Sequence, residues 1–173
     1  MRIACVMAEG RGDTDLLLHG FADRAAARGL RLCGTVQVNT DCGPDRACDM
    51  DVRVLPDGPV IRISQSLGTG ARGCRLDPEA LERAVAAAEA RLSEGADLVI
   101  VNKFGKHEAD GRGFRALIAE AVARGVPVLV GVNPLNAPRL AEFLGGEVMR
   151  LVPTPEALDA WLEECAAGAR RAM

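Results

Sequence analysis

A chain of 173 residues has the length of one domain and can bury a proper core without disulfides or metals to staple it. Apolar residues make up 49% and charged residues 26%, and a formal net charge of −3 with acids and bases intermixed excludes the basic footprint of a nucleic-acid binder. The longest apolar runs, such as 98–101 and 126–132, are strand-sized and far below the roughly 20 residues of a membrane span, so no membrane partner is expected.

The first run, Met1-Arg2-Ile3-Ala4-Cys5-Val6-Met7, is followed at once by Glu9, Arg11 and Asp13. It is too short for the apolar region of a signal peptide and reads as a strand over Ile3–Met7. On that reading the protein is cytoplasmic, and its six cysteines are thiols or ligands in a reducing compartment. A helix is predicted over 13–28, with Leu16, Leu17, Phe21 and Ala25 on one side and Gly29 as its stop. Leu30–Val38 reads as a second strand. Val52–Leu55 and Val60–Ser64 flank the turn residues Pro56-Asp57-Gly58 and predict a β-hairpin. Asp77-Pro78 caps and starts a helix carrying Leu81, Val85, Ala88 and Leu92, ended by Gly95. Ala96–Val101 is a buried central strand, and a Gly-rich loop leads from it to a helix with Phe114, Leu117, Ile118 and Val122. A strand over Gly125–Val130, a helix broken near Gly145-Gly146, a short strand at Val148–Val152 and a C-terminal helix with Leu158, Trp161, Leu162 and Cys165 complete the chain. Short apolar runs alternating with helical patterns are the signature of parallel β/α units in one domain, here spanning residues 1–173.

Open α/β sheets bind ligands at the carboxyl ends of their strands. The loop after the first strand is Met7-Ala8-Glu9-Gly10-Arg11-Gly12-Asp13-Thr14-Asp15. A phosphate loop of the form G-x-x-x-x-G-K-[ST] cradles phosphates with backbone N–H groups, reaches the outer oxygens with its Lys and holds Mg²⁺ with its hydroxyl. Gly12 and Thr14 match that pattern and Gly10 adds backbone freedom, but Met7 stands for the first Gly and Asp13 for the Lys. A carboxylate about 4 Å from a phosphate repels it by up to ~4 kcal/mol at an effective dielectric near 20, where Lys would attract it by as much. Ordinary ATP turnover at this loop is therefore not expected. Two readings of its acids stay open. Glu9, Asp13 and Asp15 can hold a hydrated divalent cation, with Asp13 as the metal candidate; or Asp13 is the N-cap of the helix and Asp15 a favourable first-turn acid.

The segment Asp97–Glu108 is the most informative stretch. Its strand followed by Asn102-Lys103-Phe104-Gly105-Lys106-His107-Glu108 resembles the strand and "DEIGKME" signature of the thermophile-type archaeal and bacterial nucleoside-triphosphatases. More closely, "NKFGKxEAxGxGFR" at 102–115, preceded by "GCRLDPxxL" at 73–81 and "ISQxLG" at 63–68, is similar to a bacterial family of unknown function. That family is sometimes labelled nucleoside-triphosphatase-like and is often encoded near molybdate-transport or nitrogenase-related genes. The resemblance covers essentially the whole chain. It implies a three-layer α/β fold, with a mostly parallel sheet of the P-loop NTPase type and a β-hairpin insertion, and a role in molybdenum or tungsten handling.

The chain departs from the NTPase pattern at the catalytic acids. Where the NTPase strand ends in an acidic pair that orients Mg²⁺ and water, this chain has Asn102 and Lys103. What remains is a Gly-rich loop bearing Lys103, Gly105, Lys106, His107, Arg112 and Arg115, opposed only by Glu108 and Asp110. Glycines allow close backbone approach and guanidinium forks suit oxyanions, so the loop fits phosphate, a nucleotide phosphate, molybdate or tungstate. The alternative is local: Lys103 pairs with Glu108, and Arg112 and Arg115 decorate the next helix. Arg72 and Arg75 add cations just ahead of a helix N-terminus, itself an anion site, and would reinforce the loop if the fold brought them together.

Cys5 and Cys33 sit in strand patterns and Cys165 on an apolar helix face, which reads as packing. Cys42, Cys48 and Cys74 fall in loops; Cys48 and Cys74 are candidate soft-metal ligands, without the paired spacing of a zinc site. Of the two histidines, His19 is mid-helix and His107 is the one placed for catalysis. The leading expectation is a catalytically degenerate P-loop-like protein that binds a small anion. The runner-up is an active nucleoside-triphosphatase with Mg²⁺ held by Asp13 and Thr14, and the third is an interaction protein that keeps the fold without a ligand. Absence of Tyr slightly favours an inorganic anion over a stacked base. Expected partners are thus a small anionic ligand and no nucleic acid, and a homo-oligomer is compatible with the sequence.

Overall fold

The computed structural model describes residues 2–10, 12–40, 49–65 and 75–171. Seven strands form one sheet: β1 (Ile3–Val6), β2 (Leu32–Thr40), β3 (Asp49–Val54), β4 (Val60–Arg62), β5 (Leu98–Phe104), β6 (Val128–Val132) and β7 (Met149–Leu151). Their order across the sheet is β4-β3-β2-β5-β6-β1-β7. The strands from β2 to β7 run parallel, while β3 and β4 add an antiparallel hairpin at one edge. The expected sheet with its hairpin insertion is therefore the observed architecture.

The helices are α1 (Asp13–Ala27), α2 (Pro78–Glu94), α3 (Lys106–Ala109), α4 (Arg115–Ala123), α5 (Ala137–Leu144) and α6 (Pro155–Arg171). Central strands bury both faces, so β6 and the Leu98–Val101 part of β5 are continuous buried runs rather than alternating ones. Leu18, Phe21, Leu158 and Trp161 of α1 and α6 pack on one face against Leu98, Ile100 and Leu129. Leu81, Val85, Leu117, Ile118 and Leu140 of α2, α4 and α5 pack on the other against Val99, Val101 and Val130. Cys33 is part of that second layer; its thiol donates to the Ala88 carbonyl at 3.2 Å, and burial pushes its pKa up to about 11. Burial likewise raises Cys5 and Cys165, so all three serve as packing.

Local chemistry sets the element ends. Asp77 accepts from the Ala80 N–H at 3.1 Å with Pro78 opening α2, a cap worth about 1 kcal/mol. Arg31 and Asp97 clamp the starts of β2 and β5 together at 2.8 Å, and that guanidinium holds the Asp97 carboxyl below the usual range. Most predicted strands shift by one to three residues at their ends, and two boundary shifts matter for the carboxyl edge. β5 runs on past Val101 through a bulge to Phe104, which re-pairs with Val132 and is fully buried. The helix expected to include Arg112 starts only at Arg115, because a turn through Gly111 and Gly113 precedes it.

β1 and β6 are neighbours, yet the chain leaves β1 toward the α1 face and β6 toward the α5 face. That divergence opens a crevice at their carboxyl ends, next to the end of β5. Beside it, β2 approaches β5 closely only because Gly34, with φ 102, sits where a Cβ would overlap the Ile100 carbonyl oxygen. Gly34→Ala is expected to cost about 3 kcal/mol or more, from overpacking plus left-handed strain. A urea-unfolding midpoint equal to that of the unsubstituted protein would contradict this close strand approach.

Candidate functional site

Three features meet at the carboxyl edge: the loop after β1, a polar network across β2, β5 and α1, and the loop after β5. In the first, Gly12 is the N-cap of α1 in a left-handed conformation, φ 86, and supplies no side-chain cap. Asp13 is thus the first helical residue and not the N-cap that one reading of the sequence made it. Its side chain folds back over the loop, so close to Gly10 that a Cβ there would overlap the carboxylate. Thr14 accepts the Ala8 N–H at 2.9 Å and ties the loop to the first turn of the helix. The Asp13 carboxylate thus lies against Gly10 at the start of α1. Glu9, Asp13 and Asp15 do not converge: among the described residues no three acidic, His or Cys side chains are grouped to hold a metal ion.

The second feature was not foreseen. Asn102, 4% exposed, donates from Nδ2 to Asp15 Oδ1 at 2.8 Å and accepts the Gln37 N–H on Oδ1 at 3.0 Å. Asn39 Nδ2 donates to the other Asp15 oxygen at 2.6 Å, and Gln37 Nε2 donates to Asn39 Oδ1 at 2.7 Å. Asp15 is therefore held by amide donors on both oxygens. An acid at position 102 would face Asp15 across this contact and would need a cation between them; the amide makes the contact directly.

In the third feature the buried carboxylate is Glu108, 3% exposed. Its Oε2 accepts the Gly105 N–H at 2.9 Å and its Oε1 the Phe114 N–H at 3.3 Å, so it staples both ends of the loop instead of pairing with Lys103. A Cβ on Gly113 would overlap the same carboxylate, which explains the glycine there. His107 lies 3.1 Å from Glu82 Oε1 through Nε2, and Glu82 also accepts the Gly113 N–H at 3.1 Å. Arg115 donates to the Glu108 carbonyl at 3.4 Å, and its guanidinium covers the Phe143 ring at 4.1 Å. His107 and Arg115 thus hold the loop's shape.

Lys103, Lys106 and Arg112 differ from those two: all are exposed, and no side chain of the three forms an ion pair or hydrogen bond among the described residues. Lys103 and Lys106 are also the only lysines in the sequence, a count that could have marked this loop in advance. Arg75 is engaged with Asp49 at 3.7 Å, at the hairpin side of the sheet. Arg72, Cys42, Cys48 and Cys74 lie outside the described residues. His19 is partly buried on α1 beside Asp23 at 3.5 Å. Residues missed by sequence reasoning are Gln37, Asn39, Glu82 and Thr35; polar side chains at the end of an otherwise apolar β2 were the available signal.

The fold is a mostly parallel seven-stranded α/β sheet structurally similar to a P-loop nucleoside triphosphatase. The solution structure of a human cancer-related nucleoside triphosphatase matches it with a TM-score of 0.60 over 100% of both chains, at 18% identity. A family model described as "Protein of unknown function (DUF2478)" matches residues 3–161, and the chain belongs to that family. It is also 34% identical over 170 residues to the Molybdenum import ATP-binding protein ModC 2 of Bradyrhizobium diazoefficiens. That alignment takes in 98% of this chain but only 19% of the relative's length. No helix among the described residues is long and apolar enough to cross a membrane.

Removing the Glu108 charge tests the staple. In Glu108→Gln one of the two buried N–H groups meets an NH₂ donor, so stability should fall by about 2–3 kcal/mol in urea unfolding. Lys106→Ala, at an exposed and unpaired position, should change it by less than about 0.5 kcal/mol. Equal midpoints for Glu108→Gln and the unsubstituted protein would show that the carboxylate does not hold the loop.

Proposed function

We propose that this chain is a P-loop-like domain that binds a small anionic ligand and does not turn over nucleoside triphosphates. The observation that carries the reading is the Asp13 carboxylate folded across Gly10, where a phosphate loop needs positive charge. The second altered part is the end of β5, where Asn102 and Lys103 stand in place of metal-orienting acids. Both changes remove what phosphoryl transfer requires, namely charge neutralisation of the outer phosphate and a positioned cation. The unpaired Lys103, Lys106 and Arg112 support an anion site displaced to the loop after β5.

Molybdate or tungstate is the proposed ligand class, with phosphate as the competing tetrahedral oxyanion. The support is the name of the Bradyrhizobium relative, a molybdenum import protein that contains a segment like this chain. Because that segment is 19% of the relative, the words "ATP-binding" in its name need not refer to it. Nucleotide binding without hydrolysis is the second reading, favoured by the retained Gly12 turn and Thr14. The proposed partner is a soluble anion, with neither nucleic acid nor membrane as a target.

No Mg²⁺-dependent hydrolysis of ATP or GTP above background is expected. Asp13→Lys, which reverses the charge at the loop mouth, should tighten ADP binding about tenfold or more, read by calorimetry. Lys106→Ala and Arg112→Ala should each weaken molybdate binding about tenfold while the fold survives. Turnover near ~1 s⁻¹ that disappears in Asp13→Ala would overturn the proposal in favour of an active triphosphatase.

A further inference from the structure

Glu82 stands on α2, a 17-residue helix whose Ala80, Leu81, Ala84 and Val85 are buried in the core, so the place of its backbone is set by the sheet. Its side chain is half exposed, yet one oxygen, Oε1, holds the loop after β5 at two points. His107 Nε2 lies 3.1 Å from it, and the Gly113 N–H donates to it at 3.1 Å. An ionised carboxylate can only accept, so the His107 ring carries its proton on Nε2 in this pair.

Arg112 lies between those two holds. Its N–H donates to the His107 carbonyl at 3.1 Å, and its neighbours Gly111 and Gly113 are both left-handed, with φ 91 and 58. The contacts close a circuit from Glu82 to the His107 ring, along the His107 backbone to Arg112, and through Gly113 back to Glu82. Lys106 immediately precedes His107. One oxygen on α2 therefore fixes the backbone beneath two exposed cations. Glu108 already staples the outer ends of the loop at Gly105 and Phe114, so closing the loop does not require a second acid. What Glu82 adds is direction, because a residue between two glycine turns otherwise keeps wide backbone freedom.

We infer that Glu82 is the positioning residue of the anion loop, holding the backbone of Lys106 and Arg112 so that both cations meet one oxyanion. The inference deepens the anion-binding reading given above and rests on it. Its physical basis is preorganisation: a cation already held in its bound direction loses less freedom when the ligand arrives. The negative charge of Glu82 works against an anion, and the donors on Oε1 offset part of it. Placement of the acceptor, and not charge, is what the residue supplies.

The test titrates the full chain with sodium molybdate and sodium phosphate at constant ionic strength, by calorimetry. It compares unsubstituted protein with Glu82→Gln, Glu82→Ala, Arg112→Ala and the Glu82→Ala/Arg112→Ala double variant. Glu82→Ala should weaken binding about fivefold or more, since the loop must then be ordered on binding. Glu82→Gln keeps an oxygen acceptor for both donors and loses the charge, so its affinity should equal or exceed that of the unsubstituted protein. With Arg112→Ala already present, Glu82→Ala should cost less than it does alone, the non-additivity of a residue that acts through another. Losses that multiply in full, or a Glu82→Gln affinity as weak as that of Glu82→Ala, would overturn the inference. Unchanged affinity in Glu82→Ala, with binding still weakened in Arg112→Ala, would overturn it while leaving the anion site standing. Amide exchange reads the same hold without a ligand: the Arg112 and Gly113 N–H groups should exchange about tenfold faster or more in Glu82→Ala, and equal rates would contradict the clamp. If the unsubstituted protein binds neither anion, the anion reading falls and the positioning role with it. Faster exchange in Glu82→Ala would then assign Glu82 to the structure of the loop alone.

Discussion

The side chain of Asn102 joins three elements that the rest of the edge depends on. Through one amide group it ties the end of β5 to the first turn of α1, via Asp15, and to the backbone of β2, via Gln37. These contacts bridge sequence separations of 87 and 65 residues. Asn102 is buried, so its donor and acceptor must both be satisfied inside the protein, and Asp15 and the Gln37 N–H are the partners that do so. Asp15 is fixed in this way by amide donors on both oxygens.

A second buried polar group fixes the loop that follows. Glu108 closes the backbone from Gly105 to Phe114 around one carboxylate, which allows a four-residue helix to hold its place despite being too short to be stable by itself. His107 is tied to α2 through Glu82, and Arg115 to α5 through Phe143. The loop is thus held from three sides, while Lys103, Lys106 and Arg112 are left facing solvent. Rigid support under unpaired cations is the arrangement that lowers the ordering cost of binding an anion.

Much of the fold was legible because alternating apolar runs and helical stripes specify parallel β/α units directly. Asp77-Pro78 and the hairpin turn at 56–58 were both readable from local chemistry. The end of β5 was not, since Asn102-Lys103 interrupts the apolar run and only a bulge lets Phe104 pair again. The site was legible as a composition of cations and glycines, but its division of labour was not. Whether an arginine faces solvent, as Arg112 does, or stacks on a ring, as Arg115 does, depends on an aromatic 28 positions further along the chain. Glu108 read as a local partner for Lys103 because sequence proximity suggests charge pairing. Burial decided otherwise, by making two peptide N–H groups the stronger claim on it.

The central claim is that the anion site has moved from the loop after β1 to the loop after β5. Crystals soaked with tungstate, measured at the tungsten absorption edge, locate a bound oxyanion directly from its anomalous scattering. The account predicts a peak at the carboxyl end of β5, in contact with Lys103 and Lys106. A peak seated instead between Gly10 and Gly12 would contradict it, and would return the phosphate loop to its usual role despite Asp13.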